Sequence, residues 1–134
     1  MGKGYGIPFF KGSFKAAADL HLNQYHIVLL SATGTVALAS AATDLVIGAL
    51  QNKPEAEGWP AEVVVLGESK LVAGAGGIAA GQYIVADASG HAVGITLGAP
   101  GDTTNVAVGR ALEAADENDV FRAYIFPCFV QVTA

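Results

Sequence analysis

The stretch Lys70–Asp87, KLVAGAGGIAAGQYIVAD, decides the fold. Within it, Gly74-Ala75-Gly76-Gly77-Ile78-Ala79 fits the G-x-G-x-x-A pattern of a dinucleotide-binding turn. That turn works only where a strand delivers a tight glycine bend into a long helix, whose first amides hold the pyrophosphate, with an acid about twenty residues on for the ribose. Here Gly81 follows two residues after Ala79 and the β-like Gln82-Tyr83-Ile84-Val85 comes next, so the helix has no room. Asp87 is too close to serve the ribose, and no Lys-Ser/Thr ending makes the run a Walker A loop. The stretch therefore predicts a hairpin connection. Lys70-Leu71-Val72 ends one strand, the Gly/Ala run bends, and Ala80-Gly81 starts the next. No cofactor is expected, and the glycines serve backbone geometry.

The same strand-and-turn texture extends on both sides. Short runs rich in Val, Ile and aromatics predict strands at 24–30, 35–40, 45–50, 61–66, 70–72, 82–86, 91–96, 105–111, 120–126 and 129–133. Turn signals separate them, among them Ala32-Thr33-Gly34, Gly67-Glu68 and Asp87-Ala88-Ser89-Gly90. In Val120–Phe126, VFRAYIF, a period of two puts Phe121, Ala123 and Ile125 on one face and Arg122 and Tyr124 on the other. Three strands carry an apolar residue followed by glycine, at Ile47-Gly48, Val93-Gly94 and Val108-Gly109. Glycine there marks a bulge, a bend or a close backbone approach. The fold class is all-β, a small barrel or sandwich with short helical turns.

The N-terminus reads differently. Residues 1–12 are rich in glycine and aromatics and contain Pro8, which excludes a stable helix. Tyr5, Ile7, Phe9 and Phe10 would be costly to leave in water, so this segment is expected to be an extended arm packed on a neighbour or across its own domain. Ser13 is placed to cap a short helix over residues 14–20. Residues 13–134 are then one β-rich domain. Trp59, on the far side of the polar loop Gln51–Pro60, is the one large aromatic a partner surface could grip, or it caps the protein's own core.

Composition narrows the function. Charged residues make up 14% of the 134, against about 25% in typical domains. Either other chains cover much of the surface, or the domain is a compact one dressed in short polar side chains. The net charge of -5 and the absence of any basic run argue against direct nucleic-acid binding. No signal-like apolar run or lipidation motif addresses the N-terminus to a membrane, and the uncharged stretch 27–43 is broken by Ser and Thr. Cys128 stands alone among apolar residues, where a small buried side chain is expected.

Catalytic and metal chemistry fare no better. His21 and His26 are five apart, on opposite faces of any continuous strand, and Asp19 with His21 would supply two ligands at most. No serine or cysteine sits in a G-x-S-x-G elbow. Glu113, Asp116, Glu117 and Asp119 read as a solvated charge run in a loop. The chain is not expected to be an enzyme, and no metal site is expected.

Several elements stand in a familiar order: Gly48-Ala49-Leu50 before the polar loop, Glu62-Val63-Val64-Val65-Leu66-Gly67, Ile78-Ala79-Ala80-Gly81 leading into Tyr83-Ile84-Val85, the Asp87–Gly90 turn, and Val108-Gly109-Arg110-Ala111-Leu112-Glu113. Over residues 46–126 the chain resembles the small capsid decoration, or cement, proteins of tailed bacteriophages. The resemblance implies a β-rich, non-enzymatic virion protein on the outer surface of the capsid. It implies commonly a homotrimer that clamps neighbouring major capsid protein subunits. No binding residue carries over from that family. From composition, the candidate contacts are Tyr5, Ile7, Phe9, Phe10 and Trp59. The other functions considered are a tail or baseplate component, and a displayed module that binds carbohydrate or a host surface. For the latter the candidate rings are Trp59, Tyr83 and Tyr124.

Overall fold

The computed structural model describes residues 9–95 and 103–132; the side chains of 9–11, 103–104 and 131–132 lie outside that description. Nine strands appear in the order β1 (Phe9–Ala16), β2 (Ile27–Ala32), β3 (Thr35–Leu38), β4 (Val46–Leu50), β5 (Pro60–Val72), β6 (Tyr83–Ala86), β7 (Ala92–Ile95), β8 (Thr103–Ala111) and β9 (Val120–Val132). They share one hydrogen-bonded sheet in the order β1-β3-β2-β4-β5-β9-β8-β6-β7, with β1 returning to pair with β5. That return closes β1, β3, β2, β4 and the first half of β5 into a five-stranded barrel.

A second ring closes around the other half of the same strand. β5 from Gly67 to Val72 pairs with β9, then β8, β6 and β7 follow. The parallel bridge between Ala73 and Ala92 brings β7 back to the end of β5. With five members a ring cannot alternate direction all the way round, so one neighbouring pair in each must run parallel. In the first ring that pair is β1–β3, and in the second it is the Ala73–Ala92 bridge.

Two apolar cores follow from the two rings. Ala16, Leu20, Val28, Val36, Leu50, Ala61 and Val63 fill the first. The larger second core includes Leu71, Ile84, Ala86, Ala92, Val106, Val108, Phe121, Ala123 and Ile125. The wall between them serves both. In β2, Ile27 joins the second core and Val28 the first; in β4, Ala49 and Leu50 divide the same way; in β5, so do Val64 and Val63. These strands are apolar on both faces because both faces are inside.

The glycines within strands fit this crowding. A Cβ at Gly48 would land on the carbonyl oxygen of Val64 and 2.9 Å from Val63 Cγ1. At Gly109 it would land on the Tyr124 carbonyl, beside the place where the β8–β9 register shifts. Close backbone approach, one of the three readings of these glycines, is what both positions show.

Four expectations need correction. No helix occurs among the described residues, and the one expected over 14–20 gives way to β1 and a bend. A two-turn helix is marginal alone. Here Ser13, Phe14 and Lys15 instead find partners in Glu62, Ala61 and Pro60, with Phe14 half-buried and Ala16 buried on one face. Gly67-Glu68 is no turn: β5 runs through it, and Gly67 pairs with Phe9 on one edge and Ile125 on the other, handing the strand from ring to ring. β9 likewise continues past Pro127. Phe126 and Pro127 stand opposite Val108 alone, a bulge that tolerates a residue without an amide hydrogen.

Lys70–Asp87 is not a hairpin, because β9 and β8 lie between β5 and β6. The glycine run crosses the mouth of the second ring and docks on the acidic loop, with Ile78 and Ala115 exchanging backbone hydrogen bonds of 2.9 and 3.0 Å. Gly77 has φ of 70° and its missing Cβ leaves room for the Ala115 carbonyl. Backbone geometry is indeed what the glycines serve, in a crossing where the sequence suggested a hairpin.

Candidate functional site

Among the contact residues chosen from composition, Tyr5 and Ile7 lie outside the described residues. Phe9 and Phe10 belong to β1, where their backbones pair with Gly67 and Leu66. The expected arm boundary at residue 12 thus falls inside a strand. Trp59 is 48% exposed and sits past the opposite end of β1, its carbonyl accepting from the Ala16 amide at 2.9 Å. The length of β1, about 23 Å for seven steps of extended chain, separates it from Phe9. Among the described residues, the structure therefore places Phe9 and Phe10 apart from Trp59.

The titratable groups are dispersed. His21 Nδ1 lies 2.7 Å from Asp19 Oδ1, and the His21 amide donates to the same oxygen. These hydrogen bonds, the backbone one first, hold the exposed Asp19 carboxyl below its ordinary range. His26 is buried and its ring centre is 4.6 Å from that of His91. Burial pushes the His26 pKa down, and His91 adds to that. Burial pushes the Cys128 thiol up, away from reactivity. The acids of the 113–119 loop do not converge: Glu113 accepts from the Arg122 amide at 3.0 Å, and Asp116, Glu117 and Asp119 are exposed. Among the described residues no three His, Cys, Asp or Glu gather as a metal site would require.

The sharpest constellation lies on the outer face of the second ring. The register sets Tyr83 (β6), Arg110 (β8), Tyr124 (β9) and Glu68 (β5) directly opposite one another in a row across four strands. Phe126 supports both tyrosines, with ring centres 5.4 Å from Tyr124 and 6.4 Å from Tyr83. The Arg110 guanidinium lies over the Tyr83 ring at 5.3 Å, and its Nε donates to the Gly81 carbonyl at 3.0 Å. Gly81, Arg110, Ala111, Leu112, Tyr124 and Phe126 line an open cleft of about 570 Å³. Sequence reading found the two tyrosines, and strand alternation set Tyr124 outside. It missed Arg110: a period of two sets that residue with the buried Val106 and Val108, and only the register shift between Ala107 and Gly109 turns it outward.

This is an all-β closed barrel carrying a second, fused ring of strands, with an aromatic outer face and dispersed titratable groups. No family model and no curated protein matches the chain. Among solved structures, it is similar to the N base of the head fiber gp8.5 of bacteriophage phi29, with a TM-score of 0.61 over 87% of this chain and 93% of that one. The two sequences are 17% identical, so the likeness is one of fold.

Proposed function

We propose that the chain is a structural protein of a phage virion, seated on the outer surface of the head, where it docks on the major capsid protein and braces neighbouring subunits. The observation that carries this is the near end-to-end correspondence with the base of a head fiber. The local resemblance to decoration proteins over residues 46–126 points to the same surface. Three large apolar side chains are more than 70% exposed, Leu22, Leu45 and Phe129, which supports the view that other chains cover part of this charge-poor surface. Assembly as a homotrimer would multiply weak contacts with the shell, since release then requires all of them to open together.

A second reading rests on the same likeness to the base of a fiber: the chain carries an appendage on the head and braces nothing. Heads made without this protein separate the two. Rebinding of the purified protein that raises the temperature of DNA release supports bracing. Rebinding that leaves that temperature unchanged supports an anchor, and failure to bind heads at all rejects the location.

A further inference from the structure

The cleft beside Arg110 offers more than a structural contact. Arg110 and Arg122 project from the same outer face, one row apart. Arg122 has Glu68 at 3.3 Å. Arg110 has no carboxylate within ion-pair reach among the described residues, in a chain with twelve acids and seven Lys and Arg. Its orientation is nevertheless fixed. The Nε bond to Gly81 and the Tyr83 ring beneath hold the guanidinium plane, which leaves the terminal nitrogens as free donors at the rim of the cleft. A planar fork of this kind matches a carboxylate in two-point contact.

Beside it, Tyr124 is 44% exposed and braced by Phe126, so one ring face is available without loss of side-chain freedom. Leu112, also partly exposed, forms an apolar wall, and Gly81 and Ala111 leave the lining open. A flat aromatic platform with a fixed anion donor at one edge is the complement of a ring that is apolar on its face and carries a carboxylate on its rim. We propose that this cleft binds an acidic sugar, a uronate or sialate unit of a glycan, stacked on Tyr124 with its carboxylate on Arg110. Charge complementarity selects an acidic saccharide over a neutral one. The concave shape suits a single projecting ring better than a flat protein surface. The inference concerns the isolated protein and stands whether or not the chain sits on a phage head.

The test is an array of uronate- and sialate-containing oligosaccharides printed beside their carboxyl-reduced counterparts and beside glutamate-rich peptides, probed with the purified full chain. Binding should favour at least one acidic glycan over its reduced counterpart by about tenfold, as a hydrogen-bonded charge pair would give. Arg110→Gln should erase that preference, and Tyr124→Ala should weaken the acidic and the reduced glycan alike. Lys70→Gln, which removes a cation outside the cleft, should change neither, and all three variants should melt close to the parent because the side chains are exposed. No preference for any acidic glycan overturns the proposal. So does preference that survives Arg110→Gln, and so does equal Arg110-dependent binding of the acidic peptides, which would make the cleft a protein-docking surface.

Discussion

Gly48→Ala tests the shared wall most directly. Gly48 lies in β4, opposite Val28 of β2, and its φ is not positive, so alanine suits the backbone there and should gain about 0.5–1 kcal/mol in strand preference over glycine. Space opposes that gain. The new methyl would occupy the position of the Val64 carbonyl oxygen and sit 2.9 Å from Val63 Cγ1. Val64 cannot retreat freely, because it packs in the second core while Val63 packs in the first. Overpacking against backbone belongs at the upper end of the usual range, about 3 kcal/mol, so the net loss is about 2 kcal/mol. For a domain of this size that corresponds to a fall of about 8 °C in melting temperature. Thermal denaturation followed by circular dichroism measures it. Gly34→Ala is the control: φ there is 69°, and nothing lies within 4 Å of the added carbon. It should show backbone strain alone, of about 1 kcal/mol. If Gly48→Ala melts as high as Gly34→Ala, the two rings do not share a closely packed strand.

Leu50→Ala removes a fully buried side chain from the smaller core and should cost about 3 kcal/mol in denaturant unfolding. His26 should make stability fall as the solution is acidified. Its folded pKa lies below the ordinary 6.5, so the unfolded chain takes up the proton first and stability declines as pH drops from 6.5 through the folded value. Melting curves at about pH 7 and pH 5 should show the decline, and His26→Gln should flatten it without touching the carboxylate transitions at lower pH. Trp59→Ala should shift melting little, its side chain being half-exposed, and should lower occupancy on heads if Trp59 is an anchor in the proposed docking. Unchanged occupancy would remove Trp59 from that contact.

Much of the fold was legible because a strand with one wet face writes itself in a period of two. In β9 the alternation grouped Phe121, Ala123 and Ile125 on one face, and all three are buried. Alternation fails where both faces are inside. Val63-Val64-Val65 in β5 reads simply as apolar, with nothing to say that successive residues belong to different cores. Local breakers misled for the same reason. Gly67 and Pro127 stop a strand in isolation, yet here partners on both edges, or a bulge, carry the chain through them. The glycine-rich stretch from Lys70 shows the limit most plainly. Its content of strand, bend and strand was readable, but which strands become neighbours depends on β8 and β9, written some thirty residues later. The candidate site divides along the same line: each tyrosine was visible, and the register that sets Arg110 between them was not.

The odd number of strands in each ring links fold to function. An even ring can be built from hairpins alone, whereas an odd one needs a parallel closure joining segments distant in sequence. Here the closures fall at Lys15–Ala16 against Thr35–Val36 and at Ala73 against Ala92. Closure covers the edges of the shared strand, and with them the backbone groups that make open sheets associate indiscriminately. What remains for recognition is side-chain chemistry on the faces: exposed apolar residues, the row of Tyr83, Arg110, Tyr124 and Glu68, and the Trp59 corner. With few charged side chains and the Cys128 thiol pushed up by burial, away from reactivity, such a barrel is suited to holding a surface in place. The proposed docking on a head would draw on this: contacts presented on preformed strands lose little freedom on docking, so even a small face can bind usefully when it is repeated around a shell.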